Sequence, residues 1–216
     1  MTRKDPSPVD LEIPEPATGT TLSRRGLVAR AGAAGLAGLA AAFVIDRNAL
    51  ASATGPDTRP GIPTESDTAL LIQVIGLELA ASDLYRAALE GASDDMAVAI
   101  GILSDNHRAY AQSIAGATGS PAGQADEEIV SANIDDFTGS NDEFLAAAHE
   151  LEQTAVSTHT SLISQYESSH AIELTASIAV IEARHATVLA EMLGVDDLDV
   201  LFGNDQPALQ LTGEDA

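Results

Sequence analysis

The side chains best suited to chemistry in this sequence are carboxylates and imidazoles on otherwise apolar helix faces. Glu182 and His185 stand three residues apart, so a helix places them side by side. Burying a carboxylate is costly unless it is paired, protonated or bound to a cation. A buried set of oxygen and nitrogen ligands suits iron or manganese, with zinc as a further candidate. The sequence therefore places five polar side chains on apolar helix faces, where they must pair with one another, change protonation or hold a cation: Glu78, His107, Glu152, Glu182 and His185.

The apolar surroundings of these ligands indicate that they face a core. His107 belongs to a seam of residues spaced alternately by four and three, which is typical of a helix that packs along its length. Glu152 stands one turn from Ala148 and from Val156. The apolar stripe that shares a face with Glu78 consists of Leu71, Val74, Ile75, Ala81 and Tyr85.

Four helices must position the ligands, and the lengths of the connections predict how the helices are arranged. The helices A to D are predicted over about 64–90, 93–116, 140–166 and 170–193. The A–B and C–D connections are short, so each pair forms an antiparallel hairpin. The B–C connection, at about 25 residues, can run the length of the bundle and return helix C parallel to helix B. We therefore predict an all-α fold, a four-helix bundle with one long B–C crossover, which is the ferritin-like variant.

Residues 65–193 carry acids on apolar helix faces and a histidine on each of helices B and D. In this pattern they resemble the ferritin-like carboxylate proteins. More narrowly, the chain is similar to exported ferritin-like proteins, some of which are grouped with desiccation-related proteins. The diiron site of that family takes a Glu from helices A and C and a Glu-x-x-His from B and D. The resemblance implies Glu78 as the ligand of helix A, Glu152 of helix C, and Glu182 with His185 of helix D.

Helix B departs from the family pattern. Ser104 stands where a Glu should precede His107 by three residues, and Asp105 points about 200° away from His107 around the helix. The remaining ligands suffice for one ion, or for two if solvent is recruited or if His149 and His159 are. A small rotation of helix C decides whether these two histidines face inward. Because one carboxylate is missing, we expect metal binding rather than redox catalysis, and enzymatic activity is left open.

A bundle without metal is the competing interpretation. In that case the buried groups pair with one another, with Arg184, with Ser104 or with water, and the protein has a structural or interaction role. A cage-forming ferritin is not expected, because residues 195–216 lack a long amphipathic period. Beyond about Phe202 we expect this acidic tail, residues 194–216, to be poorly ordered.

The N-terminal quarter of the chain is predicted to be an export signal. Residues 23–28, Ser-Arg-Arg-Gly-Leu-Val, resemble the twin-arginine motif and precede a mildly apolar run that is too short to span a bilayer. Small residues at Ala51 and Ala53 fit signal cleavage. The predicted organisation is a signal peptide (1–53), a linker (54–64), the bundle (65–193) and the tail. We expect an extracellular, cell-surface or periplasmic protein with no membrane span after cleavage.

Charge and composition exclude several classes of protein. The 216 residues carry 33 acidic and 10 basic side chains, a net charge of −23, and residues 54–216 alone carry −24. So acidic a surface does not bind nucleic acid, which requires clustered Lys and Arg. The chain has no Cys, which excludes thiol catalysis, disulfides and zinc ribbons. Metal ions are the expected partners, and the sequence leaves a homodimer open.

Overall fold

The computed structural model describes residues 59–211, and all regular secondary structure in this range is helical. The predicted all-α fold is confirmed. The predicted signal peptide and the first part of the linker lie outside the described residues. The helices of the described range are α1 (Glu65–Ala88), α2 (Asp94–Thr118), α3 (Glu127–Phe137), α4 (Asn141–Ile163), α5 (Ser169–Leu193) and α6 (Leu198–Phe202).

Short polar side chains and glycine set the ends of the long helices. The side chain of Thr64 accepts a hydrogen bond from the backbone N–H of Asp67, and the Asp67 carboxylate accepts one from the backbone N–H of Thr64. Ser140 and Glu143 form the same reciprocal cap at the start of α4. Gly194 ends α5 with a φ of 78°, a left-handed conformation that favours glycine.

Two hairpins form the bundle, with α1 packed along α2 and α4 packed along α5. The Asp67 carboxylate, at the start of α1, accepts hydrogen bonds from the backbone N–H groups of Glu167 and Ser168, which follow α4. The start of α1 and the end of α4 therefore lie at the same end of the bundle. This arrangement makes α4 antiparallel to α1 and parallel to α2, so the predicted crossover topology is confirmed.

The crossover contains a helix that the sequence analysis did not predict. Helix α3 lies in the connection from α2 to α4 and packs against both α1 and α4. Asp126 caps it, and the backbone N–H of Asp126 donates to the carbonyl of Gly76 in α1 at 3.0 Å. Phe137, at its end, is buried. The crossover therefore forms one side of the bundle as well as connecting its halves.

The buried apolar residues form two clusters, one toward each end of the bundle. The cluster near the start of α1 includes Leu71 and Leu162, and the cluster near the end of α1 includes Leu84 and Phe144. Polar side chains from the four long helices lie between them. The candidate ligands are therefore enclosed by apolar packing on both sides.

The segment after α6 lies against α4, so the expectation of a poorly ordered tail is wrong for residues 203–211. Ser157 donates its hydroxyl hydrogen to the carbonyl of Gln206 at 2.7 Å, and the backbone N–H of Leu209 donates to Thr158 Oγ1 at 3.0 Å. Small hydroxyl side chains on α4 thus supply polar partners for a segment with no regular structure of its own.

Within residues 59–211, α1 is long and apolar enough to cross a membrane by length and composition. More than half of its most apolar window is buried inside the bundle, as in a core helix of a soluble protein. The hydropathy of α1 is therefore weak evidence for a membrane span.

Candidate metal centre

Six ionisable side chains from the four long helices meet between the two apolar clusters, and we term them the polar layer. Each is at most 9% exposed. They are Glu78, His107, Glu152, His159, Glu182 and His185. The structure thus brings all five sequence-predicted candidate ligands together and adds His159.

His107 is the centre of the polar layer because both of its ring nitrogens face carboxylates. Its Nδ1 lies 2.8 Å from Glu78 Oε2, and its Nε2 lies 3.1 Å from Glu152 Oε1. An ionised carboxylate can only accept hydrogen bonds, so both nitrogens carry a proton in this network. His107 of α2 therefore connects α1 to α4 through the middle of the bundle.

His159 is the member of the polar layer on which the sequence analysis left the orientation open. Its Nε2 lies 2.9 Å from Glu78 Oε1 and 3.3 Å from Glu182 Oε1. The side chain is 3% exposed, whereas His149, two to three turns earlier on α4, is only half-buried. The rotation of α4 therefore turns His159, but not His149, into the polar layer.

His185 completes the layer on the side of α5. Its Nδ1 lies 3.3 Å from Glu152 Oε2, and its Nε2 lies 3.1 Å from the side-chain nitrogen of Asn106. Asn106 is buried beside His107 and was not among the predicted site residues. Its position directly before a histidine in the sequence gives no signal of this contact, because the two side chains leave the helix in different directions.

Ser104 stands in α2 at the position where the family pattern has a Glu ligand. Its hydroxyl donates to the backbone carbonyl of Ser82 at 2.9 Å and lies 3.2 Å from the Ser82 hydroxyl. Asp105 is exposed, as expected from its direction on the helix. Neither position brings a carboxylate into the polar layer, and a pair of small hydroxyl side chains fills that part of the bundle.

Two tyrosines border the polar layer. Tyr85 donates its hydroxyl hydrogen to Glu152 Oε1 at 2.7 Å, and its ring stacks on the imidazole of His107 with centroids 5.6 Å apart. Tyr110 meets His107 edge-on, and its buried hydroxyl has no hydrogen-bond partner among the described residues. Helical periodicity predicted Tyr85 only as part of an apolar stripe, although its position seven residues after Glu78 puts it on the same face.

Residues 66–195 match the model of a family described as a ferritin-like domain, and the match covers more than half of the chain. The chain belongs to the ferritin-like domain family. The resemblance seen in the sequence is thereby confirmed at the level of the family. No curated protein and no solved structure matches the chain at a significant level.

Opposite charges in this ferritin-like domain balance each other across the polar layer. Burial would lower the pKa of His107, but the carboxylates of Glu152 and Glu78 hold it well above its usual value. Burial would likewise lower the pKa of His159, but the carboxylates of Glu182 and Glu78 raise it to about 10. Burial would raise the pKa of Glu78, but hydrogen bonds from His107 and His159 hold it below its usual value. The layer therefore stabilises protonated histidines beside ionised carboxylates.

Glu182 is the member of the polar layer that lacks sufficient partners. It is fully buried, and neither of its carboxylate oxygens has a hydrogen-bond partner among the described residues. Burial raises the pKa of Glu182, and the charge of Glu78 adds to this rise although the charge of His159 opposes it. A buried carboxylate in this condition is a position where a cation fits.

The ferritin-like domain offers two groups of ligand atoms that could hold a metal ion. One group is formed by His107, Glu152 and His185, and the other by Glu78, His107 and Glu182. In each group the candidate ligand atoms lie within 4.8 Å of one another. Carboxylate oxygens and imidazole nitrogens are suitable ligands for iron, manganese or zinc. The residues present therefore fit a metal ion.

Proposed function

We propose that this ferritin-like protein binds iron or manganese, as one or two ions, in the polar layer. The observation that carries the proposal is the fully buried carboxylate of Glu182, whose oxygens make no hydrogen bond within the described residues although His159 Nε2 lies 3.3 Å from Oε1. A divalent cation bound to these two oxygens would offset the free-energy cost of burying a carboxylate without hydrogen bonds.

The two ligand groups share His107, which limits how ions can occupy them. A neutral imidazole has one nitrogen free to bind a metal, and the other nitrogen keeps its proton. An ion bound by Glu152, His185 and His107 would therefore leave Glu78, Glu182 and His159 to bind a second ion or to retain their own hydrogen bonds. Bound iron or manganese would supply one-electron redox chemistry toward O₂ or peroxide.

Metal binding is proposed ahead of catalysis because α2 supplies no carboxylate at Ser104. The hydroxyl of Ser104 is already engaged with Ser82. A site with one fewer bridging carboxylate retains fewer anionic ligands to hold two metal ions close together.

We further propose that the protein is exported through the twin-arginine pathway and serves the cell envelope, with a link to oxidative or desiccation stress. The support for export comes from Arg24, Arg25 and the apolar run that follows them. The support for a stress role comes from the narrower family resemblance and from the net charge of −24 over residues 54–216, since such a surface is strongly hydrated.

The experiment is elemental analysis of the protein purified from its native export route. We expect about one or two equivalents of Fe or Mn per chain, and loss of this metal in the double variant Glu182→Ala with His185→Ala. The matched control is His149→Ala, which removes an imidazole outside the polar layer and should retain the metal. Metal-free protein from metal-replete medium, with thermal stability unchanged by Fe(II) or Mn(II), would contradict the proposal.

A bundle without metal is the second candidate, and one observation favours it. Glu78, His107 and Glu152 form a continuous set of hydrogen bonds that satisfies both nitrogens of the central imidazole without an ion. In such a protein the polar layer would hold the helices in register as a structural network. Retention of the full unfolding midpoint after exhaustive chelation, together with the absence of metal, would support this candidate.

A further inference from the structure

A cavity of about 490 Å³ opens onto the polar layer from between α1, α3 and α4. Four members of the layer form its inner end: Glu78, His107, His159 and Glu182. Its volume lies within the range of about 300–1,000 Å³ that is usual for small-molecule pockets. The cavity therefore connects the surface of the bundle to its most polar interior.

The walls of this cavity are mainly apolar, with Asn133, Thr154 and Thr158 as their polar members. Helices α1, α3 and α4 all contribute to them, through Val74, Leu77, Ala81, Ile129, Leu151 and Ala155. Apolar walls offer no ligands to a hydrated metal ion. An alkyl or aromatic group, in contrast, is stabilised there because its apolar surface is removed from water. The walls thus favour an organic occupant.

The outer end of the cavity is acidic, and the inner end holds carboxylates beside histidines. Asp136, Glu143 and Glu150 line it and are exposed to solvent. At the inner end Glu182 also lines it, and both of its buried oxygens are without hydrogen-bond partners. Acidic groups at the opening repel anions and attract cations, and an ammonium group donates the hydrogen bonds that the Glu182 carboxylate lacks.

We propose that this cavity is a binding pocket for a small primary amine with an apolar body, whose ammonium group meets Glu182. The apolar walls cover the body of the ligand, and the acidic opening selects against carboxylates of the same size. The pocket goes beyond the proposed metal function, because its walls lie outside the polar layer and shape a site for an organic molecule. It shares Glu182 with that function, so an amine and a metal ion compete for this carboxylate.

The test is isothermal titration calorimetry of the exported protein with octylamine and with octanoate, which have eight carbons each and head groups of opposite charge. Octylamine should bind with a stoichiometry of one, and octanoate should bind at least about tenfold more weakly. Ala155→Phe narrows the cavity outside the polar layer and should weaken octylamine binding at least about tenfold while Mn(II) affinity stays unchanged. Ala147→Phe, about two turns earlier on α4, provides a second cavity-filling variant in case Ala155→Phe does not fold.

The results separate this proposal from the metal proposal. If the protein binds octylamine but no Mn(II), the result would support the proposed amine pocket and contradict the proposed metal binding. Equal binding of octylamine and octanoate, no binding of either, or unchanged octylamine affinity in both cavity-filling variants would overturn the pocket. Competition between Mn(II) and octylamine in the unmodified protein would support the assignment of Glu182 as the shared group.

Discussion

The Nε2 atom of His159 lies 2.9 Å from Oε1 of Glu78 and so joins α4 to α1 across the polar layer. The same nitrogen lies 3.3 Å from Oε1 of Glu182. One imidazole thus stands between a carboxylate that is well hydrogen-bonded and one that is not. Its position makes His159 a candidate metal ligand as well as a partner of both acids.

The first prediction concerns this histidine. His159→Ala should lower the affinity for Mn(II) by about tenfold to a hundredfold, the range found when ligands or their supporting groups are removed from metal sites. His149→Ala removes an imidazole from the same helix but outside the polar layer, so its affinity should equal that of the unmodified protein. Competition titration against a chelator gives both values, and equal losses in the two variants would remove His159 from the centre.

The second prediction is that metal binding releases protons. The neighbouring carboxylates raise the pKa of His159 to about 10 and hold the pKa of His107 well above its usual value, so both carry an extra proton at neutral pH without metal. A metal ion must displace a proton from each imidazole that it binds. Affinity for Mn(II) should therefore rise from about pH 6 to about pH 8, with release of about one or two protons per ion.

Calorimetry in buffers of different ionisation enthalpy measures the number of protons released on Mn(II) binding. The matched control is His159→Ala, which lacks one of the protonated imidazoles and should release fewer protons. An affinity that is constant over this pH range would show that neither imidazole binds the ion.

The third prediction compares two buried tyrosines. Tyr85→Phe removes the donor that Glu152 accepts at 2.7 Å, and should lower the free energy of unfolding by about 1–2 kcal/mol. Tyr110→Phe removes a hydroxyl without a partner among the described residues, and should leave stability unchanged or raise it. Urea unfolding of the metal-free protein measures both. Equal destabilisation by the two substitutions would mean that ring packing, and not the Glu152 hydrogen bond, determines the effect.

The inward positions of Glu78 and His107 could be predicted from the sequence because helical periodicity fixes which residues share a face. The same periodicity could not decide between His149 and His159, since both fall near the edge of the apolar stripe of α4. Tertiary packing settles the rotation of that helix. Only the structure shows that His159 is buried and His149 half-buried.

The crossover shows a second limit of sequence patterns. Residues 116–140 are rich in Gly, Asp and Ser, which favours a connection without regular structure. Within them Asp126 caps α3, and Ile129 and Phe137 supply apolar contacts to α1 and α4. A short helix of this kind depends on docking rather than on its own propensity, so local sequence gives a weak signal.

The fourth prediction concerns Asp67, whose carboxylate accepts three backbone hydrogen bonds and ties α1 to the α4–α5 connection. Burial would raise the pKa of Asp67, but the hydrogen bonds from the backbone of Thr64, Glu167 and Ser168 together hold it below its usual value. Asp67→Asn should lower the free energy of unfolding at pH 7 by about 2–3 kcal/mol, because one amide oxygen replaces two charged acceptors.

The pH dependence of this effect has a definite sign. A carboxyl group whose pKa is lowered by folding contributes its full stability above its unfolded pKa of about 4. That contribution disappears as the pH falls through the lower pKa of the folded state. The difference in the free energy of unfolding between Asp67→Asn and the unmodified protein should therefore become smaller below about pH 4. Asp105→Asn, at an exposed position, is the control and should change stability little at any pH.

The fifth prediction tests how closely the crossover approaches α1. Gly123 has a φ of 73°, and a Cβ atom added there would lie 2.9 Å from Cγ2 of the buried Ile75. Gly123→Ala therefore combines a strained backbone with an overpacked contact, and should lower the free energy of unfolding by about 2–4 kcal/mol. Gly76→Ala is the matched control on the facing helix. Its Cβ would meet nothing closer than the carbonyl oxygen of Gln124 at 3.6 Å, an ordinary contact.

Because alanine favours a helix interior over glycine, Gly76→Ala should raise stability by about 0.5–1 kcal/mol. Urea unfolding followed by circular dichroism at 222 nm measures both variants. If the crossover packs against α1 in solution as it does here, the two alanine substitutions must act in opposite directions. A neutral Gly123→Ala would mean that the crossover can move away from Ile75 at no cost, and the wall that α3 adds to the cavity would then be loosely held.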